Sequence, residues 1–329
     1  MVVIKNFSFY GIYEHYSAGG PGSHPGANTG FIHRTMYLPH QDSHEIQRIV
    51  DTHSRFVILI QQTEYAVSLF QRDIQPLIHA KNKPYVIITC MDDPTFPERV
   101  VGSFFQELSL MSWSPSRPLF RHWFATNCRC RYNEFNNITP VPYGIDYWTL
   151  CARSSWANTP MESACAQDRH LSRLRESMVH FSKRPFDLRI YVNFQFNLDG
   201  NGNFERLLAY ITIPRDLMSI QQKRVNRYET WGMYTQHIFV ASPRGNGLDT
   251  IRTWEALMLG CIVIVRRIPE APGMEELYAD LPVVVIDRWS DITRDLLQSI
   301  LSEYSKRTFR YEKLTMKYWI GRIEAALDS

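Results

Sequence analysis

Short runs rich in β-branched and aromatic residues recur along the whole chain, and several are separated by stretches of helical periodicity. In the first half the runs are VVIKNFSFY, RFVILIQ, PYVIITC, HWFATN and ITPVPYG, and TEYAVSLFQRDIQPLIHA is one of the helical stretches between them. In the second half DLRIYVNFQF, RLLAYITI, HIFVAS, CIVIV and LPVVVID repeat the scheme, with helices expected around 222–233 and 249–259. Strands buried on both faces read as near-continuous apolar runs, and parallel strands need a crossover that is usually a helix. The alternation therefore restricts the chain to an α/β architecture on mostly parallel sheets.

A chain of 329 residues, 44% of them apolar, can bury more than one core, which suggests two domains of roughly 150 residues each. Residues 151–185 carry no strand-like run and read as a connector followed by a helix, so the junction is placed there, between an N-terminal domain at 1–150 and a C-terminal one at 186–310. Residues 311–329 contain EKLTMKYWIGRIEAALD, whose apolar spacing predicts a terminal helix placed to pack across both halves.

One βαβ unit has unusual chemistry at its turn. HIFVAS reads as a strand, PRGNG as a loop, and Asp249 as the cap of a helix running to Gly260, with CIVIV as the next strand. Ligands of parallel sheets bind at the carboxyl ends of strands, and a helix N-terminus favours anions. Gly245 and Gly247 let a backbone approach a ligand, and Arg244 adds a bidentate donor for phosphate. Asp249, Arg252 and Glu255 share one helix face while Ile251, Trp254 and Met258 share the other. Arginines suit a diphosphate and a carboxylate suits sugar hydroxyls, a pair of groups that a nucleotide sugar presents together. The competing expectation is a capped surface helix whose Arg and Glu pair with each other. Neither GxGxxG nor GK[ST] occurs in this stretch, which counts against a dinucleotide-dependent oxidoreductase and a P-loop.

With 36 basic and 33 acidic residues and a net charge of +3, bulk charge gives no support to nucleic-acid binding. The six cysteines (Cys90, Cys128, Cys130, Cys151, Cys165 and Cys261) show no zinc-finger spacing and read as reduced thiols. There is no apolar segment of a secretion signal and none of the roughly 18 residues a transmembrane helix needs, so a cytoplasmic location without a membrane span is expected. The sequons at Asn6 and Asn137 are then chance occurrences.

The run FVASPRGNGLDTIRTWEALMLGCIVIV, followed by LYADLPVVVIDRWSDIT and EKLTMKYW, resembles the C-terminal half of exostosin-like glycosyltransferases of the GT-B fold, across roughly residues 187–320. KPYVIITCMDDPTFP, HWFATN and ITPVPYGIDYWTL are similar to the end of the N-terminal domain in bacterial and viral relatives, while the first eighty residues are not placed by the resemblance. The resemblance implies two Rossmann-like domains facing a central cleft and an inverting, metal-independent transfer with no cofactor. A nucleoside-diphosphate sugar, UDP-linked and with UDP-xylose considered, would be the donor, and an oligosaccharide or glycoprotein glycan the acceptor. The lack of an anchor points to bacterial or large-DNA-virus members, among them xylosyltransferases of algal viruses, acting in the host cytoplasm in the viral case. By the same resemblance Arg244 and Arg252 would meet the diphosphate. Gly245, Asn246 and Gly247 would form the phosphate loop, with Ser242 and Thr250 in the same donor site. Glu255 would hold ribose or sugar hydroxyls, and Asp249 would cap the helix or else touch the sugar. Relatives often carry an aromatic residue or histidine at the position of Ile251 and proline at that of Val263, departures that bear on sugar preference.

An inverting transfer needs a base on the opposite wall. Asp93 or Asp92, after PYVIITCM, is the expected base; Glu64, after RFVILIQQT, is the alternative, and the EHYSAGGPGSHPG loop adds Glu14, His15 and His24. Adjacent aspartates in an extended chain point opposite ways, so DDP is a poor joint metal site. The loop from Gly11 to Gly30 is long enough to close over an acceptor, with a plain surface loop as the alternative, and WSPSRPLFRHWF could stack on sugars or fill a core.

Overall fold

The computed structural model describes residues 5–8, 12, 35–38, 43–61, 64–90, 119–128, 137–152, 159–184, 188–196 and 201–329. The first half forms a parallel sheet of β1 (Thr35–Leu38), β2 (Phe56–Gln61), β3 (Tyr85–Cys90), β4 (Phe120–Ala125) and β5 (Ile138–Pro140), in that spatial order. Helix α1 (Ser43–Thr52) joins β1 to β2, and α2 (Glu64–Leu69) with α3 (Gln75–Ala80) joins β2 to β3. A π-helical turn, Phe70–Ile74, separates α2 from α3 just before Pro76. Proline has no N–H to continue the helical ladder, and the wider turn accommodates the break.

Alternation along the strands sorts the core into two faces. Phe56, Ile58, Ile60, Tyr85 and Ile87 pack with Ile49, Val50, Phe70, Ile74 and Ile78 of the helices. Val57, Leu59, Val86, Ile88 and Phe124 turn to the other face, where they join a larger core.

Between the halves lie α4 (Trp148–Ala152) and α5 (Ala164–Ser177), the latter capped by the Ser163 hydroxyl accepting from the Ala166 N–H. The second half contains β6 (Ile190–Val192), α6 (Asn201–Thr212), β7 (Met218–Ile220), α7 (Arg227–Gln236), β8 (Phe239–Ala241), α8 (Ile251–Met258), β9 (Ile262–Arg266), α9 (Pro272–Tyr278), β10 (Val283–Ile286) and α10 (Arg294–Tyr304). Its sheet is also parallel, in the order β10-β9-β8-β6-β7, so the direction of winding reverses between β6 and β8. The chain is thus an α/β protein with two parallel sheets.

Several expected elements differ. RLLAYITI, up to Thr212, is part of helix α6, because Glu205, Ala209 and, just past its end, Ile213 are buried at four-residue steps; a short apolar run does not by itself distinguish strand from helix. The strand that follows, Met218–Ile220, is only three residues long, and Thr35–Leu38 was likewise not anticipated. VVIKNFSFY does not add a strand through residues 5–8: Asn6 and Ser8 make isolated bridges to Thr315 and Gly144. Asn6, within a sequon, is buried and bonded to the Asp168 carboxylate.

The last helix, α11 (Met316–Asp328), returns to the first half and packs against β3 and β4. Trp319, Ile323 and Leu327 share one core with Val57, Val86 and Phe124 on one side and Tyr191, Val240 and Val263 on the other. The chain ends are stitched together by Phe7 N–H donating to Leu314 O at 2.9 Å and Met316 N–H donating to Lys5 O at 2.9 Å. Cys128, Cys151, Cys165 and Cys261 are not in disulfides, and among the described residues no helix is long and apolar enough to cross a membrane.

Candidate functional site

A cleft of about 790 Å³ opens at the carboxyl ends of β6, β7 and β8, where the winding order reverses. Its walls are Asn193–Phe196 after β6, Gln221–Val225 after β7, and Gly245–Gly247 with Asp249–Arg252 and Glu255 after β8. Tyr143 and Thr149 line it from the first half.

Helix α8 begins at Ile251 with Thr250 as N-cap, two residues later than expected, and Thr250 makes no side-chain cap bond. Asp249 is therefore not the helix cap. Its Oδ2 accepts from the Tyr143 N–H at 2.7 Å and the Trp254 indole at 2.6 Å, while Oδ1 accepts from the Thr250 N–H at 2.8 Å and the Tyr278 hydroxyl at 3.2 Å. The carboxylate thus ties the two halves at the cleft edge. Burial pushes its pKa up to about 6, and the four donors hold it from rising further.

Arg252 projects one turn into α8. Its Nε donates to Asn193 Oδ1 at 2.8 Å, and Asn193 Nδ2 in turn donates to the Tyr234 hydroxyl at 3.0 Å. Its guanidinium lies 5.7 Å from the Phe194 ring centre, and its Nη1 is buried without a hydrogen-bond partner. Burial lowers the Arg252 pKa, yet a guanidinium remains charged in proteins. A charged, buried N–H without an acceptor is costly unless something fills the place beside it.

Glu255 is held by a different arginine from the one expected. Arg227 Nη2 donates to Glu255 Oε1 at 2.8 Å, with side chains only 1% and 5% exposed. Arg227 also donates to Asp146 O and, at 3.2 Å, to Gln167 Oε1. Thr253, Trp254, Glu255, Ala256, Leu257 and Met258 are all buried, so α8 is not a surface helix with its own Arg and Glu paired.

The loop after β8 does not present all its residues to the cleft. Ser242 and Arg244 line a separate small recess with Glu205, Arg266 and Arg267, and Ser242 Oγ lies 3.0 Å from Thr250 Oγ1 and 2.9 Å from Thr253 Oγ1. Arg244 is not among the residues that line the cleft, whereas Thr250 lines both spaces. Besides Arg252, the cleft is lined by Arg224 of the segment after β7 and by Arg206 of α6, whose Nη1 donates to Gln195 O at 2.8 Å. The glycines also differ in purpose. A Cβ on Gly245 would lie 3.2 Å from Arg206 Nη2, and one on Gly247 would lie 3.0 Å from Asn127 Oδ1. Both admit a side chain of the protein itself. Asn246 lines the cleft with its Oδ1 buried and without a hydrogen-bond partner.

Glu64 opens α2 immediately beyond β2, at the carboxyl end of that strand. Asp92, Asp93, Glu14, His15 and His24 lie outside the described residues, as does all of the Gly11–Gly30 loop except Ile12. Arg206 lies in a run that reads as a strand in sequence, and Arg227 pairs with Glu255 across 28 residues, a separation without a local sequence signal. Among the described residues no group of three or more His, Cys, Asp or Glu could hold a metal ion.

No protein-family model matches the chain. A search of curated proteins likewise finds none that matches.

Proposed function

We propose that the chain is an inverting, metal-independent glycosyltransferase of GT-B architecture, moving a sugar from a nucleoside-diphosphate donor to a hydroxyl of an oligosaccharide or a glycoprotein glycan. UDP-linked donors are the first choice, with UDP-xylose among them. The observation that carries the proposal is the buried, unpartnered Nη1 of Arg252 in a cleft where the strand order reverses. A diphosphate oxygen would supply the missing acceptor, next to the N-terminus of α8. The cleft volume of about 790 Å³ suits a nucleotide sugar, and residues of both halves line it.

In this assignment Arg252 and Arg206, rather than Arg244, neutralise the leaving diphosphate. Glu255, oriented by Arg227, accepts from ribose or sugar hydroxyls. The acceptor hydroxyl gives its proton to a carboxylate of the first half, Asp93 or Asp92 with Glu64 as alternative. Its oxygen bonds to the anomeric carbon from the face opposite the phosphate. The bond from that carbon to the phosphate oxygen breaks, and its electron pair leaves with the diphosphate.

The test is release of nucleoside diphosphate from a panel of UDP- and GDP-sugars, with water or added glycans as acceptor. Turnover of a preferred donor supports the proposal. Tight UDP binding without turnover on any acceptor would make the chain a nucleotide-sugar-binding protein that transfers nothing, and the absence of both would end the assignment.

A further inference from the structure

We propose that Asn127, which belongs to the first half of the chain, is a positioning residue for the anion-binding turn of the second half. The inference rests on the donor-site assignment above and adds to it a part played by the other sheet.

Asn127 follows β4, is 1% exposed, and has a positive φ of 50°. The turn that carries it is fixed to β3, where Thr89 O accepts from the Thr126 N–H at 3.2 Å and from the Thr126 hydroxyl at 3.1 Å. Asn127 Oδ1 accepts from the Asp249 N–H at 2.8 Å. Its amide closes on Gly247, where a Cβ would come within 3.0 Å of Oδ1, 3.1 Å of Nδ2 and 3.3 Å of Cγ. Contacts that short are tighter than a Cβ ordinarily makes, so a side chain at 247 requires the Asn127 amide to give way by a few tenths of an ångström.

Two further facts make this more than interface packing. The bond to the Asp249 amide lies two residues before the first residue of α8, and Tyr143 N–H grips the Asp249 carboxylate from the same half. These contacts hold the start of the helix from which Arg252 projects. Asn127 Nδ2 is also buried without a hydrogen-bond partner, an arrangement that packing alone would not favour over an apolar side chain. Asn127 thus sets where the turn and the first helical amides stand when an anion arrives, and movement of the β3 and β4 ends would be felt at the donor site.

The test is a cycle of Asn127→Gly, Gly247→Ala and the double variant, in the full chain, with inorganic pyrophosphate and UDP as probes in calorimetry. Glycine accepts the positive φ at 127, and circular dichroism with a melting curve checks that each variant is folded. Asn127→Gly should weaken pyrophosphate binding about tenfold, and Gly247→Ala about as much or more, by pushing Asn127 off the turn. Adding Gly247→Ala to Asn127→Gly should then cost less than about twofold, because the obstructing amide is gone. Independent, multiplying losses would mean that Gly247 serves the ligand directly, and would overturn the role of Asn127 while leaving the anion site standing. Unchanged affinity in Asn127→Gly would overturn it in the same way. A wild-type chain that binds neither probe would remove the anion site, and this role with it.

Discussion

At the scale of residues, the loop after β8 separates two arginines that looked equivalent in sequence. Arg252 has its Nε fixed by Asn193 and its Nη1 without an acceptor in the cleft, whereas Arg244 faces a different recess. If the proposed transfer holds, Arg252→Ala removes the charge assigned to the leaving diphosphate and should lower kcat/KM by about a hundredfold or more. Arg244→Ala should stay within about threefold of wild type, since it removes no group from the cleft. Steady-state kinetics on the preferred donor decides, and a larger effect at Arg244 would return the diphosphate to the recess that Arg244 lines. Titration at single residues is also informative. His122 is neutralised by burial, with a smaller contribution from the charge of Arg322, and its pKa falls from 6.5 to about 4. The unfolded chain therefore binds the proton more readily between those values. Its contribution to stability is present above about pH 6.5 and is lost as pH falls towards 4, to a total of roughly 3 kcal/mol. Asp249 works in the opposite sense, because its raised pKa of about 6 gives stability that is present below the unfolded value and lost as pH rises through 6. Urea unfolding of His122→Gln from pH 7 to 4 should show a shallower acid loss than wild type. Parallel curves for the two proteins would rule His122 out as a cause of acid lability.

At the scale of elements, one side chain finishes two helices. Arg184 lies past the end of α5, and its Nη1 donates to Tyr234 O at 3.4 Å and to His237 O, while Nη2 donates to Leu259 O at 2.7 Å. Those carbonyls close the C-terminal ends of α7 and α8, where helix dipoles favour a cation. Arg184→Met should cost about 3 kcal/mol, since it removes the charged donor of three carbonyls and leaves His237 O and Leu259 O with only the weak Cys261 thiol, and should leave donor KM unchanged. A loss of unfolding free energy in urea under a third of that size would show that water replaces the guanidinium. Such contacts mark the boundary of what the sequence discloses. The strands at 56–61, 85–90, 239–241 and 262–266 were legible because continuous apolar runs bounded by loops have few alternatives in a parallel sheet. The α6 stretch was not, because Phe204, Leu207 and Ile211 leave apolar side chains on its exposed face and hide the helical period. In the site, Arg252 and Glu255 were found from their spacing on one helix. Arg206, Arg227 and Asn127 reach the site from other elements, and their approach is set by tertiary packing. Gly247 was recognised as a close-approach position, but the approaching group was assigned to a ligand instead of to Asn127.

At the scale of the molecule, the two sheets share a core, which bears on how they come apart. Trp319 is 1% exposed, packs its ring 5.7 Å from that of Phe7, and donates from its indole to Lys313 O at 2.7 Å. It stands on the helix that follows the second sheet in sequence but covers the first, and the same core reaches Val240 and Val263 of the second. The segment with Phe7 is fixed in turn by Asp168 on α5, whose carboxylate accepts from the Lys5 and Asn6 amides, the Asn6 side chain and the Tyr147 hydroxyl. A hinge between independent domains would need an interface that can separate, whereas here the beginning of the chain, the connector and the final helix close a single packed layer. Trp319→Ala should therefore cost about 3–5 kcal/mol, and the loss should be felt equally by both sheets. Hydrogen exchange provides the test, read at amides of β2 and β3 in the first sheet and of β8 and β9 in the second. Equal loss of protection in all four strands is expected, with one calorimetric transition in wild type and variant alike. A loss confined to the first sheet, or two transitions in the wild type, would mean that the halves unfold separately and that the cleft between them can open without breaking the shared core.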